Sequence, residues 1–417
     1  MSLFLTVDQL QVGLYVQLEM NWVDHPFTFN GFRIKTQDQI DALRQLGLER
    51  IRYDPDKSSA RPLPPPPRAR PPAKPVAVAD SPMMRAKRAR IEQLGHYRVA
   101  VARAERALFD AVKRVHEINT KVVGRPAEVL PLAEAFVDGL AEIFLAAPEA
   151  TIHAMGGRSD TEELYQHGLN VALLSLIMAK AVDLAPEQAR TLAMGALFHD
   201  IGLREIPSRI LRKTEPLTDA EYRLRQMHSE YGVEIGRRIG LPAPVLTIVR
   251  QHHETMDGGG YPDGLKGEQV DPLARMVQVA NRFDTLCNPI DSVKAMSPHA
   301  ALSLMFAQQR AKHDPRMLGV LIRCLGVYPP GTAVHLSNGA TAMVASVNSK
   351  RPLKPMLVVY DPEVHRDEAI ILDLEQETEV NIANAIDPKE LPRAIRDYLC
   401  MRKHVSYFFD DSGACNI

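Results

Sequence analysis

Residues 251–267, QHHETMDGGGYPDGLKG, place two adjacent histidines directly before a glycine-rich loop. His252 and His253 close the apolar helical pattern PVLTIVRQHH, and adjacent residues of a helix point about 100° apart. Two imidazoles in this position can therefore flank a cleft and bind two different metal ions. The glycines at 258–260 allow a tight turn with positive φ, and Pro262 restrains the turn after Tyr261. The stretch predicts a helix that ends at a metal site, with a tight loop beside it.

The composition of the 417-residue chain is that of a soluble globular protein with about two or three domains. A formal net charge of −1 gives no electrostatic reason to expect a nucleic-acid polymer or a membrane as a partner. The N-terminus lacks the basic and apolar regions of a signal peptide, and no apolar run reaches about 18 residues. Four cysteines without CxxC spacing favour reduced thiols over disulfides. We therefore expect a cytoplasmic protein.

Changes of pattern along the chain predict a mainly α fold with small β-containing segments at both ends. Short alternating runs and the helical stretch TQDQIDALRQLGL predict a module of mixed α/β structure at the N-terminus. Asn338-Gly339, between two alternating runs, predicts a hairpin near the C-terminus. The predicted segments are a small β-rich accessory module (1–56), a proline-rich linker (57–82), a helical connector (83–150), an all-helical domain (151–330) and a small β-rich appendage with a C-terminal helix (331–417).

Polar side chains interrupt the apolar helices of the central domain. His199-Asp200 ends the run RTLAMGALFHDIG, which is apolar enough to predict a buried helix. A buried His-Asp pair costs free energy unless it is hydrogen-bonded or bound to a metal, and the dipeptide alone favours the hydrogen-bonded reading. Other candidate ligands recur on successive helices and change this balance; they are Glu163, His167, His228, His252 and His253. Together these residues predict a site for two or three metal ions.

The motifs FHDIG, His252-His253-Glu254 and Gly260-Tyr261-Pro262 resemble the HD-GYP family, a branch of the HD metal-dependent phosphohydrolases. The resemblance covers roughly residues 155–330, and the N-terminal segment resembles the small module often found ahead of such domains. It implies an all-helical HD-type domain that holds two or three divalent ions, iron or manganese, and hydrolyses cyclic di-GMP to pGpG and then, if the pocket admits the linear product, to GMP.

The resemblance also assigns roles to individual residues. Asp200 would bridge two metals, a hydroxide between them would attack phosphorus, and Asp200 and His199 would be the catalytic pair. The implied metal ligands are Glu163, His167, His199, Asp200, His228, His252, His253 and Asn281. The implied substrate-binding residues are Gly260, Tyr261, Pro262 and Lys294.

Two positions depart from the family pattern. Leu203 stands where the motif HDIGK has a lysine that can hold a phosphate oxygen, and Arg204 follows it. Asn281 stands where the family has an aspartate ligand, so that the site loses a negative charge. Asp284, three residues later, is expected either to support the site or to pack at the helix end. These departures keep open a catalytically impaired cyclic di-GMP receptor or signalling interaction module, and a phosphoesterase with another substrate.

Cyclic di-GMP is the partner that the resemblance implies. A signalling protein partner and a homodimer formed through the long helix at 83–120 are open alternatives.

Overall fold

A computed structural model describes residues 3–21, 24–65, 82–146, 151–155, 163–289, 291–347, 351, 353–366, 369–377, 380–399 and 406–410. Most of the linker predicted at 57–82 lies outside these ranges. The chain divides into two compact units, residues 1–98 with 361–371 and residues 99–360 with 372–417. Each unit joins stretches that are distant in sequence, so the two units cannot be compared one to one with the five predicted segments. The five segments therefore stay a prediction. None of the helices in the described ranges has the length and apolar character needed to cross a bilayer.

The first unit contains an antiparallel four-stranded sheet and one short helix. Its elements are β1 (Leu3–Leu5), β2 (Tyr15–Gln17), β3 (Gly31–Arg33), α1 (Gln37–Gln45) and β4 (Ile51–Asp54). The strands lie in the order β1-β4-β2-β3, and α1 begins where the Thr36 side chain accepts a hydrogen bond from the Gln39 amide. Leu14, Val16 and Leu43 are fully buried in its core. The mixed module predicted from the sequence is therefore present.

The second unit is mainly helical, as the sequence predicts. The long helix α2 (Pro82–Gly124) begins in the first unit and continues here from Val99 onward. The following helices are α3 (Pro126–Ala146), α4 (Glu163–Ala181), α5 (Pro186–Phe198), α6 (Ser208–Leu211), α7 (Asp219–Gln226), α8 (His228–Arg238), α9 (Ala243–Gln251), α10 (Pro272–Cys287), α11 (Pro298–Ala307) and α12 (Pro315–Leu325). Prolines at the first helical turn and the capping side chains of Asp271, Ser297 and Asp314 set where α10, α11 and α12 begin.

Helices α4 and α5 form the centre of this core. Every residue from Leu192 to Phe198 of α5 is buried, which confirms the prediction that the helix before His199-Asp200 is internal. α5 packs against α3, α4 and α9, and α10 packs against α4. Most of the predicted metal ligands lie near helix ends. His199 and His252 directly follow α5 and α9, His228 begins α8, and His167 lies in the second turn of α4.

The remaining strands form a second sheet near the C-terminus. Its elements are β5 (Thr151–Met155), β6 (Ala333–Leu336), β7 (Thr341–Val347), β8 (Met356–Val359), β9 (Ile370–Asp373), β10 (Ile382–Ile386), the helix α13 (Arg393–Tyr398) and β11 (Ser406–Asp410). β6 and β7 form the hairpin predicted at Asn338-Gly339. The sheet runs β10-β6-β7-β5-β11, so that β5, which precedes the helical domain in sequence, completes it.

Candidate metal centre

Asp200 lies where α5 ends and a 3₁₀ helix (Ile201–Glu205) begins. That short helix packs against α8, and the contact depends on Gly202, because a Cβ there would collide with the main chain of His228 and Gly232. The glycine of the FHDIG motif therefore permits a close approach of two backbones. As a result, Asp200 and His228 come together from different elements.

The two carboxylate oxygens of Asp200 face two different groups of imidazoles. Oδ2 lies 3.4 Å from His199 Nε2 and 3.6 Å from His167 Nε2. Oδ1 lies 3.3 Å from His228 Nε2 and 3.5 Å from His252 Nε2. Possible metal-ligating atoms therefore form one group of His167, His199 and Asp200 and a second group of Asp200, His228, His252 and His253. The aspartate is shared by both groups.

The orientation of three of these imidazoles is fixed by main-chain carbonyls. His199 Nδ1 donates to the Ala196 carbonyl at 2.7 Å, His228 Nδ1 to Arg225 at 2.6 Å and His252 Nδ1 to Val249 at 2.7 Å. Each acceptor lies three residues earlier in the chain. A hydrogen on Nδ1 leaves the Nε2 lone pair free to bind a metal, and this arrangement is usual for metal-ligating histidines.

His167 is held by a carboxylate instead. Its Nδ1 lies 2.6 Å from Asp284 Oδ2, and the side chain of Asp284 is fully buried. The amides of Asn170 and Asn288 both donate to Asp284 Oδ1, at 2.8 and 2.9 Å. Of the two roles expected for Asp284, the structure shows the supporting one.

Burial and neighbouring charges set the protonation of the cluster. Burial disfavours a charged Asp200, but His199 and the hydrogen bonds from His199, His228 and His252 keep the pKa of its carboxyl well below its usual value. Burial lowers the pKa of His252 to about 4 and holds the pKa of His253 well below its usual value. Burial also opposes a charged His167, but its hydrogen bond to Asp284 and the charges of Asp284 and Asp200 together outweigh burial and raise the pKa. A charged carboxylate beside neutral imidazoles His252 and His253 is the state that binds a cation.

The loop after α9 is anchored by Glu254. This side chain is almost fully buried, and its carboxylate accepts hydrogen bonds from the amides of Asp263 at 2.7 Å, Gly264 at 3.1 Å and Leu265 at 2.9 Å. Arg250 of α9 adds a bidentate pair with Asp263 at 2.6 and 2.7 Å. Glu254 belongs to a motif singled out in the sequence, but no role was predicted for it. The sequence signal for its role in anchoring the loop is its position, directly after two histidines and before a glycine-rich loop.

Gly260 and Tyr261 bring this loop against the histidines. A Cβ on Gly260 would lie 2.5 Å from the main chain of His253, Glu254 and Thr255, so that only glycine permits this approach. The Tyr261 ring stacks on the His253 imidazole, with 4.6 Å between ring centroids and 25° between ring planes. Tyr261 thus limits the movement of a candidate ligand.

A cavity of about 360 Å³ opens beside Asp200. His167, Asp200 and Asp284 form part of its wall, and Leu203 and Thr285 add to it. Four basic residues also line it, namely Arg212, Lys213, Arg225 and Lys294. A cavity that joins a cation-binding cluster to several positive side chains suits an anionic ligand.

The structure brings together most of the residues singled out in the sequence. His167, His199, Asp200, His228, His252 and His253 form one cluster. Asn281 is buried beside it, where it hydrogen-bonds to His167 and its Oδ1 accepts from Thr285 Oγ1 at 3.1 Å. Glu163 is the first residue of α4, but its side chain lies outside the described part of the chain.

The predicted substrate residues divide into two places. Lys294 lies on the cavity wall, with its Nζ 3.3 Å from Asp291 Oδ2. Gly260, Tyr261 and Pro262 do not belong to the lining of this cavity. Their expected contact with substrate stays a prediction.

The donor set is that of a divalent-metal site. Imidazole nitrogens with free Nε2 lone pairs and one shared carboxylate suit divalent transition metals, and one bridging carboxylate suits two neighbouring ions. The hydrogen bonds from the imidazole Nδ1 atoms to main-chain carbonyls and to Asp284 are also those expected of metal-binding histidines.

Comparison with protein families matches three parts of the chain. Residues 153–317 match the HD domain, which contains the whole cluster. Residues 3–130 match a domain of unknown function (DUF3391), and residues 333–394 match a KOW domain associated with HD domains.

Characterised relatives are similar over different lengths. The chain is 28% identical over 371 residues to the cyclic di-GMP phosphodiesterase PA4108 of Pseudomonas aeruginosa, covering 85% of this chain and 84% of that protein. It is 36% identical over 149 residues to the cyclic di-GMP phosphodiesterase response regulator RpfG of Xanthomonas campestris, covering 35% of this chain and 39% of that protein. It is 29% identical over 220 residues to the 3'3'-cGAMP-specific phosphodiesterase 3 of Vibrio cholerae, covering 51% of this chain and 45% of that protein. The HD domain at residues 153–317 and the similarity to cyclic di-GMP phosphodiesterases together support a protein of the HD-GYP family.

Proposed function

We propose that this protein is a metal-dependent phosphodiesterase that hydrolyses cyclic di-GMP. The observation that carries the proposal is the position of Asp200, which lies between two groups of imidazoles at the wall of a cavity with basic side chains. The cyclic di-GMP phosphodiesterase PA4108, which is similar over most of both chains, supports the same activity and substrate.

The residues present suit two metal positions that share Asp200. His167 and His199 would hold one ion together with Asn281, and His228, His252 and His253 would hold the other. Iron or manganese is the metal we expect, because histidine and carboxylate donors accept both. Such ions, when bound, lower the pKa of water and stabilise negative charge on phosphoryl oxygens.

The protein's own residues would orient the catalytic groups and neutralise the negative charge of the substrate. Asp200 and His199 form the centre of the proposed catalytic site, where the Ala196 carbonyl holds the imidazole of His199 in place. The basic side chains of the cavity, among them Lys294, would receive the phosphates of the substrate. We expect pGpG as the product, and GMP in addition if the linear dinucleotide re-enters the cavity.

A single preparation tests this proposal. Protein purified without oxygen is analysed for metal content, and the turnover of cyclic di-GMP is followed by separating pGpG and GMP. We expect about two divalent ions per chain in the wild type and loss of both ions and turnover in Asp200→Ala. The control is Asp219→Ala, since Asp219 is exposed on α7 and belongs to neither group of candidate ligands. Turnover at the wild-type rate in Asp200→Ala would exclude this centre.

A second candidate function is a receptor that binds cyclic di-GMP without cleaving it. Leu203 lines the cavity and offers no hydrogen bond to a phosphate, and Asn281 lacks the charge of an aspartate ligand. A wild-type protein with full metal content and tight cyclic di-GMP binding but no turnover would establish the receptor. Turnover of cyclic di-GMP would exclude it.

The choice among cyclic dinucleotides needs its own comparison, because one of the similar proteins is specific for 3'3'-cGAMP. Turnover of cyclic di-GMP, 3'3'-cGAMP and unrelated phosphoesters by the same preparation ranks these substrates. We expect the highest kcat/KM for cyclic di-GMP.

A further inference from the structure

The cavity contains no lysine at position 203, where the family motif places one. Leu203 occupies that part of the wall, and Arg204, which follows it, is not part of the lining. A cyclic dinucleotide carries two phosphodiester groups, and each brings a negative charge into the cavity. Another cation is therefore needed near Asp200, and the cavity offers Arg212, Lys213, Arg225 and Lys294.

Two of these four cations already have carboxylate partners. Lys213 Nζ lies 2.6 Å from Glu221 Oε2, and that carboxylate also accepts a hydrogen bond from the Thr218 amide in the capping box of α7. Lys294 Nζ lies 3.3 Å from Asp291 Oδ2. Arg212 is exposed at the end of the four-residue helix α6. The charges of Lys213 and Lys294 are therefore partly neutralised, and the charge of Arg212 is exposed to solvent.

Arg225 differs from each of the other three cations. Unlike Lys213 and Lys294, it has no ion pair with a carboxylate in the described ranges, and unlike Arg212 it is partly buried. It lies in the last turn of α7, and its main-chain carbonyl receives the Nδ1 hydrogen of His228 at 2.6 Å. The same residue therefore orients a candidate ligand through its backbone and is one of the positively charged residues that line the cavity.

The position of Arg225 suits a phosphate ligand, because it lines the same cavity as Asp200 and His167. A guanidinium can bind phosphate oxygens through two parallel hydrogen bonds, which a leucine cannot.

We propose that the Arg225 guanidinium binds a phosphate group of the cyclic dinucleotide and supplies the positive charge that Leu203 does not. This assignment rests on the proposed function, and it makes Arg225 a substrate-binding residue at the metal centre. Because the contact is with a phosphate, it serves cyclic dinucleotides regardless of their bases.

The test measures KM and kcat of the full-length, metal-loaded protein with cyclic di-GMP and with 3'3'-cGAMP. In Arg225→Met, which keeps most of the side-chain volume, we expect KM to rise about 10- to 100-fold for both substrates, the range of a lost charge-assisted hydrogen bond. Arg225→Lys restores part of the loss, since it returns the charge without the planar fork. Metal content stays at the wild-type value, because the carbonyl that orients His228 is retained.

The matched control is Arg223→Met. Arg223 has the same charge on the same helix but is exposed and does not line the cavity. The KM of Arg223→Met should therefore equal that of the wild type. An unchanged KM in Arg225→Met, with normal wild-type turnover, overturns the assignment of Arg225 alone. A loss confined to cyclic di-GMP also overturns it, because it indicates recognition of the second guanine, which 3'3'-cGAMP replaces with adenine. A wild type that neither binds nor cleaves either dinucleotide overturns the proposed function and this assignment together.

Discussion

At the scale of single residues, His167 depends on a buried carboxylate for its orientation, whereas His199, His228 and His252 depend on main-chain carbonyls. Helix geometry fixes those carbonyls whatever the surrounding side chains are. Asp284, by contrast, is a replaceable side chain, and it is already engaged by two asparagine amides. The metal position at His167 is therefore the one that a single substitution can weaken selectively.

Asp284→Asn tests this dependence. An asparagine has one acceptor oxygen, so it cannot satisfy both His167 and the amides of Asn170 and Asn288. We expect about 10- to 100-fold weaker binding of the metal at the His167 position, as is typical for the partners of metal-binding histidines. Metal titration with manganese measures it. Asp291→Asn is the control, because Asp291 lines the same cavity without contacting a histidine; equal affinities in the two variants would refute the role of Asp284.

At the scale of elements, the C-terminal segment reaches the wall of the cavity. Lys389, in a 3₁₀ helix (Pro388–Glu390), donates from Nζ to the carbonyls of Val293 at 2.7 Å and Ala295 at 3.3 Å. These two carbonyls flank Lys294, which lines the cavity. A lysine far away in sequence therefore holds one part of the cavity wall in place.

Lys389→Met removes both hydrogen bonds and keeps the length of the side chain. We expect a several-fold higher KM for cyclic di-GMP, because the two hydrogen bonds no longer order the segment around Lys294. Metal content should not change, since no candidate ligand lies in that segment. Arg393→Met, at a highly exposed position of α13, provides the comparison. The prediction fails if both variants keep the wild-type KM.

At the scale of the whole molecule, the first unit contains a buried histidine of its own. His25 Nε2 donates to Asn30 Oδ1 at 2.8 Å, and His25 Nδ1 accepts from the Phe27 amide at 3.3 Å. Both ring nitrogens are thus satisfied in the neutral form. Burial and then the nearby charge of Lys87 lower the pKa of His25 to about 4, although Asn30 and Asp24 act in the opposite direction.

The stability of the first unit should consequently fall in acid. Between the ordinary pKa of 6.5 and the folded value of about 4, the unfolded chain binds the proton more readily, so that unfolding becomes easier as the pH decreases. We expect a loss of about 2 kcal/mol between pH 7 and pH 5. Denaturant unfolding followed by the fluorescence of Trp22, the single tryptophan, measures it. In His25→Gln this part of the pH dependence should disappear; a variant with the full wild-type dependence would contradict the prediction.

Local sequence signals predicted much of the fold because they act over short distances. Asn338-Gly339 predicted the β6–β7 hairpin, since a tight turn with positive φ needs these residue types, and Gly339 has φ +86°. The apolar run before His199 predicted a buried helix, because this signal also lies within one short stretch of sequence. The pairing of β5 with β7 was not predictable in this way, because hydrogen bonds between strands about 190 residues apart leave no local pattern.

The sequence by itself determined the residue types of the metal centre, its place at the ends of helices and the family of the chain, because ligand chemistry and motif spacing are written along one segment. Only the tertiary structure decided how those residues divide. It placed Asp200 between two groups of histidines, gave Asp284 and Glu254 their supporting roles, and turned Arg225 and Lys294 toward one cavity. These outcomes depend on the packing of helices that are distant in sequence, and packing fixes distances between side chains that no local pattern contains.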